Sequence, residues 1–351
     1  MFFFCIGLPS RFFEWCQAVT ARLVEQVLGP VQDIHADMLD QFAAQAIGAQ
    51  SPYAIVGSHQ IVGPFWTALA AANRRFVLIR DHPHHALANL MVRHGAEFLE
   101  AARVVAKSCA STVSCMSLPG ALVLDADRDA ADPAATAAAI ARHFGLAVGE
   151  AEIAGLLGPL AEAAARPDRE ERLSWWQRLD GAQRTLIAGA VDPYGARLAG
   201  GELGPIVWER DLFYMSEEPP VAPDPPASRP IDITGRPRYL LYGPYITLPP
   251  GSWSATVALG FSAEAAELSY IVDVCAGAEI LLSRITLQPG EERVVEANLN
   301  FSLDAPDMVE IRVMNERAAF DGRLALGHVV LTPAGMIRPE TRSYFETVLG
   351  V

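Results

Sequence analysis

The 351-residue sequence has no CxxC pair, no apolar run long enough to span a bilayer and no excess of basic residues. Each absence closes off a class of protein. The five cysteines, Cys5, Cys16, Cys109, Cys115 and Cys275, are odd in number and scattered. They read as buried thiols in a reducing compartment, not as a disulfide framework or a zinc site. No stretch reaches the roughly 18–20 apolar residues that a spanning helix needs. Residues 1–9 are apolar but lack the basic n-region and cleavage site of a secretion signal, so a cytoplasmic protein is the expectation. Lys and Arg number 27 against 41 Asp and Glu, a formal charge of −14. That argues against a general nucleic-acid binder, which needs a basic footprint.

What is present is apolar content. The chain is 51% hydrophobic and 19% charged, which allows a sizeable core and makes global disorder a poor description. Its length favours two domains. Phe2-Phe3-Phe4-Cys5-Ile6 is apolar on both faces, as a central strand of a buried parallel sheet must be. Gly7, Pro9 and Ser10 interrupt it before a helix-compatible segment from Arg11 to Leu28. A strand, a tight turn and a helix N-terminus make an anion site, because free N–H groups and the helix dipole face the turn.

Alternation of strands and helices continues. Gln32 to Ile47 reads as a helix with Ile34, Met38, Phe42 and Ile47 near one face. Tyr53–Val56, Arg75–Arg80 and Ala121–Leu124 read as strands. Helices are expected from Pro64 to Ala72, His84 to His94, Glu97 to Cys109 or slightly beyond, and Asp132-Pro133 to Phe144, the last ended by Gly145. The pattern predicts an α/β domain with a parallel sheet and flanking helices over residues 1–216, its last part mostly helical. Residues 217–230 carry six prolines and read as a stiff linker. Residues 231–335 change character. Runs such as Arg238–Tyr242, Ala255–Leu259, Leu268–Val274, Val294–Leu299 and Met308–Val313 have strand length, with Pro-Gly and Asp-Gly turns between them. This half reads as an antiparallel β-sandwich or jelly roll. Residues 336–351 form a tail or short helix.

Four stretches of the first half, in order, resemble the sulfotransferase family, a P-loop fold. Cys5-Ile6-Gly7-Leu8-Pro9 with its helix is similar to the strand and phosphosulfate loop. Ile55-Val56-Gly57-Ser58-His59 resembles the strand that ends in the catalytic histidine. Phe76 to Pro83, with Arg80-Asp81, resembles the strand and turn that hold the 3′-phosphate. Val123 to Asp127 with Asp132-Pro133 and Phe144-Gly145-Leu146 is similar to the later strand and Asp-Pro helix. The resemblance implies transfer of a sulfuryl group from 3′-phosphoadenosine 5′-phosphosulfate (PAPS) to a hydroxyl of a glycan or glycoconjugate. It implies His59 as the base, and Gly7, Pro9, Ser10, Arg11 and Arg80 at the cofactor. The chain departs from the pattern where Ser10 follows Pro9, with Arg11 displaced by one, and where Phe12, Phe13 and Glu14 replace small and hydroxyl residues. Ala88 and Asn89 stand where the family has a phosphate-binding serine. The alternative reading is therefore a catalytically inactive member that binds glycan or docks a partner in polysaccharide biosynthesis.

The residues also have plainer roles. His59 can be a hydrogen-bonded strand-end histidine, and Arg80 can pair with Asp81 or Asp125. His82, His84 and His85 cluster around Pro83, but neighbouring histidines at a helix start rarely converge on one ion, and no metal site is assigned. Asp125 and Asp127 read as turn and cap residues. In the second half, Tyr242, Tyr245 and Trp253 surround Gly243-Pro244 and Leu248-Pro249-Pro250-Gly251. That segment looks like the start of a galactose-binding-like or carbohydrate-binding jelly roll. Its rings suit sugar stacking if exposed and core packing if not.

Overall fold

The computed structural model describes residues 1–48, 50–160, 175–216, 227, 229–277, 280–291 and 293–334. Most of the proline-rich stretch 217–230 and the segment 336–351 lie outside the described residues. The chain divides into two compact units, Met1–Asp180 with Tyr194–Glu202, and Gly181–Pro193 with Leu203–Val351.

The first unit is built on five parallel strands: β1 (Phe2–Gly7), β2 (Val31–His35), β3 (Tyr53–Ser58), β4 (Phe76–Arg80) and β5 (Ala121–Asp125). Their order is β2-β3-β1-β4-β5, so the first strand is central. Its side chains alternate between two cores. Phe3 and Cys5 face one cluster with Ile55, Val77, Ile79 and Leu124. Phe4 and Ile6 face the other with Val56, Leu78, Phe65 and Leu69. Burial on both sides is why the strand reads as a continuous apolar run. None of the five cysteines forms a disulfide and all are buried, and burial pushes the Cys5 thiol up to about 12.

Helix α1 (Arg11–Leu28) covers the first of these faces with Phe12, Trp15, Cys16, Val19 and Leu23, the i, i+3, i+4, i+7 stripe of an amphipathic helix. Ser10 caps it, its Oγ accepting from Phe13 N at 3.3 Å. The remaining helices of this unit include α2 (Leu39–Ile47), α3 (Gly63–Ala72), α4 (Pro83–Ala88), α5 (Phe98–Cys115), α6 (Ala126–Asp129), α7 (Pro133–Phe144) and α8 (Glu150–Leu157). Gly145 ends α7 in the left-handed region, φ 72°.

Two expectations for this unit change. Gln32 to Ile47 is not one helix: its start is the edge strand β2, and only Leu39–Ile47 is helical. Pairing with β3, with Ile34 opposite Val56, overrides the helical periodicity, and an edge strand with one wet face keeps the polar residues that hid it. The helix expected over His84–His94 is α4 followed by a π-helical turn, Asn89–Arg93.

The second unit has two antiparallel sheets. One runs β13 (Val294–Leu303), β10 (Gly251–Phe261), β15 (Arg323–Pro333), β6 (Ile206–Glu209), with β8 (Ile231–Asp232) also on β15. The other runs β12 (Ile280–Leu287), β11 (Tyr270–Ala276), β14 (Asp307–Asn315), β9 (Tyr239–Leu248), β7 (Tyr214–Met215). Val257, Leu259, Val272, Val274, Ile311, Val313, Val329 and Leu331 are fully buried. The expected boundary at 216/217 does not mark the change of architecture. Ile206 already pairs with Leu331, and Tyr214 with Tyr242, so β6 and β7 belong to the antiparallel sheets although they precede the proline-rich stretch.

Candidate functional site

In an open parallel sheet, ligands lie beyond the carboxyl ends of the strands where connections diverge. Here the chain leaves β1 for the edge strand β2 and leaves β4 in the opposite direction for β5. That end carries Gly7, Ser58, Arg80 and Asp125, followed by His59, Ser10 and Arg11.

His59 is held tightly. Its Nδ1 lies 2.8 Å from the Gly7 carbonyl oxygen. A carbonyl can only accept, so Nδ1 carries the proton and Nε2 keeps its lone pair. Phe13 packs on the ring, centroids 4.2 Å apart, and His35 lies 5.1 Å away. Burial lowers the imidazole to about 4, against the opposing pull of the Gly7 carbonyl. The ring is therefore neutral at physiological pH.

Asp37, just after β2, is an organiser that the sequence reading missed. Its Oδ1 accepts from Ser58 Oγ at 3.0 Å, His59 N at 2.8 Å and Gln60 N at 3.0 Å. Burial alone would raise its carboxyl, but the hydrogen bonds from His35 and the His59 backbone outweigh that and hold it far below the usual range. The same bond to Asp37 raises His35 against the effect of burial. No motif marks Asp37. Its position after an edge strand hidden inside an apparent helix is the only sequence clue.

The loop after β1 is closed. Gly7 is tight against β4, since a Cβ there would stand 2.3 Å from the Ile79 carbonyl oxygen. Pro9 and Ser10 are buried. The Pro9 carbonyl accepts from Asn89 Nδ2 at 3.1 Å. Ser10 N donates to Leu8 O at 2.7 Å, and its hydroxyl is the helix cap. Phe12 stacks on Trp15 in the core, while Phe13 covers His59. Arg11 is half-buried at the first position of α1.

Glu14 stands in the first turn of α1 and is surrounded by donors. Asn89 Nδ2 donates to Oε1 at 3.0 Å, His94 Nε2 lies 2.9 Å from the same oxygen, and Arg93 Nη1 donates to Oε2 at 2.6 Å. Burial would raise its carboxyl, but the bonds from Asn89 and His94 and the charge of Arg93 hold it below the usual range. An acid in the first turn also suits the helix dipole. Glu14, one of the departures from the family pattern, thus sets a carboxylate among donors that would otherwise suit a bound anion.

Arg80 Nη2 donates to Asp125 Oδ2 at 2.9 Å, and its Nε is buried with no partner among the described residues. Asp81 pairs with His85, Oδ1 to Nδ1 2.7 Å. His82 caps α4 by accepting from His84 N at 3.2 Å, and His84 stacks on Trp176 at 4.8 Å. The orphaned Arg80 Nε is a feature that suits a phosphate. The buried loop, the Arg80–Asp125 pair and the Glu14 carboxylate do not, and as placed these residues do not fit a phosphosulfate.

The second unit has its own candidate site. Tyr239, Tyr242 and Tyr245 on β9, with Glu310 and Arg312 on β14 and Arg238, line a cleft of about 490 Å³. Tyr239 and Tyr245 are exposed and Tyr242 is half-buried. The Tyr245 hydroxyl donates to Glu310 Oε1 at 2.8 Å. Burial and this bond push its phenol well above the usual value. Tyr242 meets Tyr245 edge-on at 6.3 Å and stacks on Tyr214 at 5.8 Å. Tyr245 has φ 62°, a left-handed conformation that is uncommon outside glycine. Arg312 lies over the Tyr239 ring at 4.8 Å.

Trp253 does not join these rings. It is buried and donates from Nε1 to the Pro249 carbonyl at 3.2 Å. Its place on β10, in the other sheet, and its burial make it a core residue, so of the two roles open to Trp253 it takes core packing and not sugar stacking. Tyr239, Glu310 and Arg312 were not anticipated. Strand alternation places Tyr242 and Arg312 in register, a signal that appears only once the two strands are paired.

No protein-family model and no curated protein sequence matches the chain. Several solved structures align with part of it. The arabinose-bound MgGH51 α-L-arabinofuranosidase is 12% identical over 30% of this chain and 20% of its own length, with a TM-score of 0.24. The CBM36-1 domain of a multidomain xylanase from the hindgut metagenome of Trinervitermes trinervoides is 9% identical over 38% of this chain and 99% of its own, TM-score 0.26. The C-terminal CBM6 of LamC, a marine laminarinase from Zobellia galactanivorans, is 8% identical over 36% of this chain and 98% of its own, TM-score 0.22. At these TM-scores the likeness carries no argument, and the description of the antiparallel unit rests on its own strand pairing.

Proposed function

We propose that this protein recognises glycans through the tyrosine-lined cleft of its antiparallel unit. Its parallel-sheet unit is then a sulfotransferase-like fold whose anion end is filled by its own side chains. The observation that carries the glycan reading is the cleft of about 490 Å³ in which Tyr239, Tyr242 and Tyr245 stand beside Glu310 and Arg312. A sugar has apolar C–H faces that lie on aromatic rings and hydroxyls that pair with carboxylates and guanidiniums. The filled position of Glu14 supports the inactive form of the reading.

The test is titration of the full chain with a panel of oligosaccharides, alongside Tyr242→Ala. Binding by the native chain and its loss in the variant are expected. A folded chain that binds no oligosaccharide at millimolar concentration overturns the reading.

A second reading, PAPS-dependent sulfuryl transfer to a glycan or glycoconjugate hydroxyl, is favoured by one observation. The Gly7 carbonyl fixes the His59 proton on Nδ1, so Nε2 is the nitrogen able to take a proton from an acceptor hydroxyl. Calorimetric titration with adenosine 3′,5′-bisphosphate separates the two. Micromolar binding that is lost in Arg80→Ala supports the second reading. Absence of binding at millimolar ligand removes it.

A further inference from the structure

We propose that the cleft on β9 and β14 is selective for acidic saccharides, sugars bearing a carboxylate or sulfate, over neutral ones. The proposal rests on the glycan reading and deepens it.

The argument is one of charge and chemistry in a small space. The chain as a whole carries −14, yet the cleft lining holds two arginines, Arg238 and Arg312, against one carboxylate, Glu310. Arg312 is only partly neutralised. Its Nη2 donates to Asp273 Oδ2 at 3.4 Å, while Arg284 takes both oxygens of the same carboxylate at 2.6 and 2.9 Å. One buried aspartate thus serves two guanidiniums, and the closer pair is with Arg284. Arg312 Nε is buried with no partner among the described residues. A half-buried guanidinium that shares its one carboxylate partner with a second arginine is a receptor for a planar carboxylate or a sulfate.

The other groups fit the remainder of such a ligand. Tyr242 and Tyr245 offer ring faces and edges for the C–H surface of a pyranose. Glu310 is held toward the cleft by the Tyr245 hydroxyl and is an acceptor for sugar hydroxyls. Tyr239 fixes Arg312 by cation–π contact at 4.8 Å, so the guanidinium is set before a ligand arrives and loses less freedom on binding. A neutral sugar would use the rings and Glu310 but leave Arg312 unanswered.

The experiment is an array of uronate-bearing, sulfated and neutral oligosaccharides, probed with the full chain. The native chain, Arg312→Gln, Arg312→Lys and Tyr242→Ala are compared, each first checked by thermal unfolding. Acidic glycans are expected to bind at least about tenfold tighter than neutral ones, a difference of about 1.4 kcal/mol. Arg312→Gln removes that preference and Arg312→Lys keeps part of it. Raising the salt from about 0.05 to about 0.5 M weakens acidic binding severalfold, a test that needs no substitution. Equal binding of neutral and acidic glycans, lost in Tyr242→Ala but insensitive to salt, overturns the charge selectivity and leaves the glycan reading standing. No binding to any glycan overturns both.

Discussion

Arg93 Nη1 donates to Glu14 Oε2 across 2.6 Å, joining the first turn of α1 to the π-helical turn after α4. With Asn89 and His94 on the other oxygen, the carboxylate occupies a cluster of donors at a helix N-terminus, the chemistry that otherwise attracts phosphate.

Removing that carboxylate should therefore open an anion site. Glu14→Ala is expected to bind inorganic phosphate or sulfate in calorimetric titration, where the native chain gives no heat. Arg93→Gln in the same background should reverse the gain. Equal behaviour of native and Glu14→Ala chains would show that Glu14 fills no anion position.

His59 should resist protonation. Its imidazole lies near 4, below the ordinary 6.5. Between those values the unfolded chain binds more protons than the folded one, so this group's contribution to stability is full above about 6.5 and is lost as pH falls toward 4. The loss amounts to about 3 kcal/mol. His35, raised by Asp37, acts in the opposite sense, its contribution present at low pH and lost as pH rises. Comparing the native chain with His59→Gln isolates the first effect. Urea unfolding from pH 7 to 5 should fall more steeply for the native chain.

Gly7→Ala should be poorly tolerated for a backbone reason. The new methyl would stand 2.3 Å from the Ile79 carbonyl oxygen, on the strand paired with β1. The expected cost is about 1–3 kcal/mol of overpacking strain, read as a lowered unfolding midpoint. An unchanged midpoint would mean that β1 and β4 separate freely.

The aromatic residues of the antiparallel unit should divide into two kinds. Trp253→Ala is expected to destabilise the chain by about 3–5 kcal/mol, as loss of a buried indole does. Tyr242→Ala should lower the unfolding midpoint far less, by the loss of a half-buried ring stacked on Tyr214, and abolish oligosaccharide binding. Binding lost through Trp253 in a fully stable chain would reverse this assignment.

Elements buried on two faces were the legible ones. Phe2–Ile6 announces itself as a strand because both sides are apolar, and Gly145 marks a helix end through its own backbone freedom. The edge strand β2 was illegible, since one face meets water and its residues mimic a helical stripe. β6 was hidden in a stretch that reads as helical, because its partner β15 lies more than a hundred residues later.

The candidate sites divide in the same way. The sequence by itself determined the parallel α/β half, the antiparallel character of the later half though not where it begins, and the strand-end positions of His59 and Arg80. Those features follow from local periodicity and turn chemistry, which each residue shares with its near neighbours. Only the tertiary structure decided that Glu14 meets Arg93, that Asp37 holds His59, that Tyr245 reaches Glu310 and that Trp253 turns into the core. Each of those contacts except the last joins residues about twenty to eighty positions apart, and Trp253 is buried by strands from distant parts of the chain. Side chains so separated in sequence come within hydrogen-bonding distance only when strand order and register bring them there.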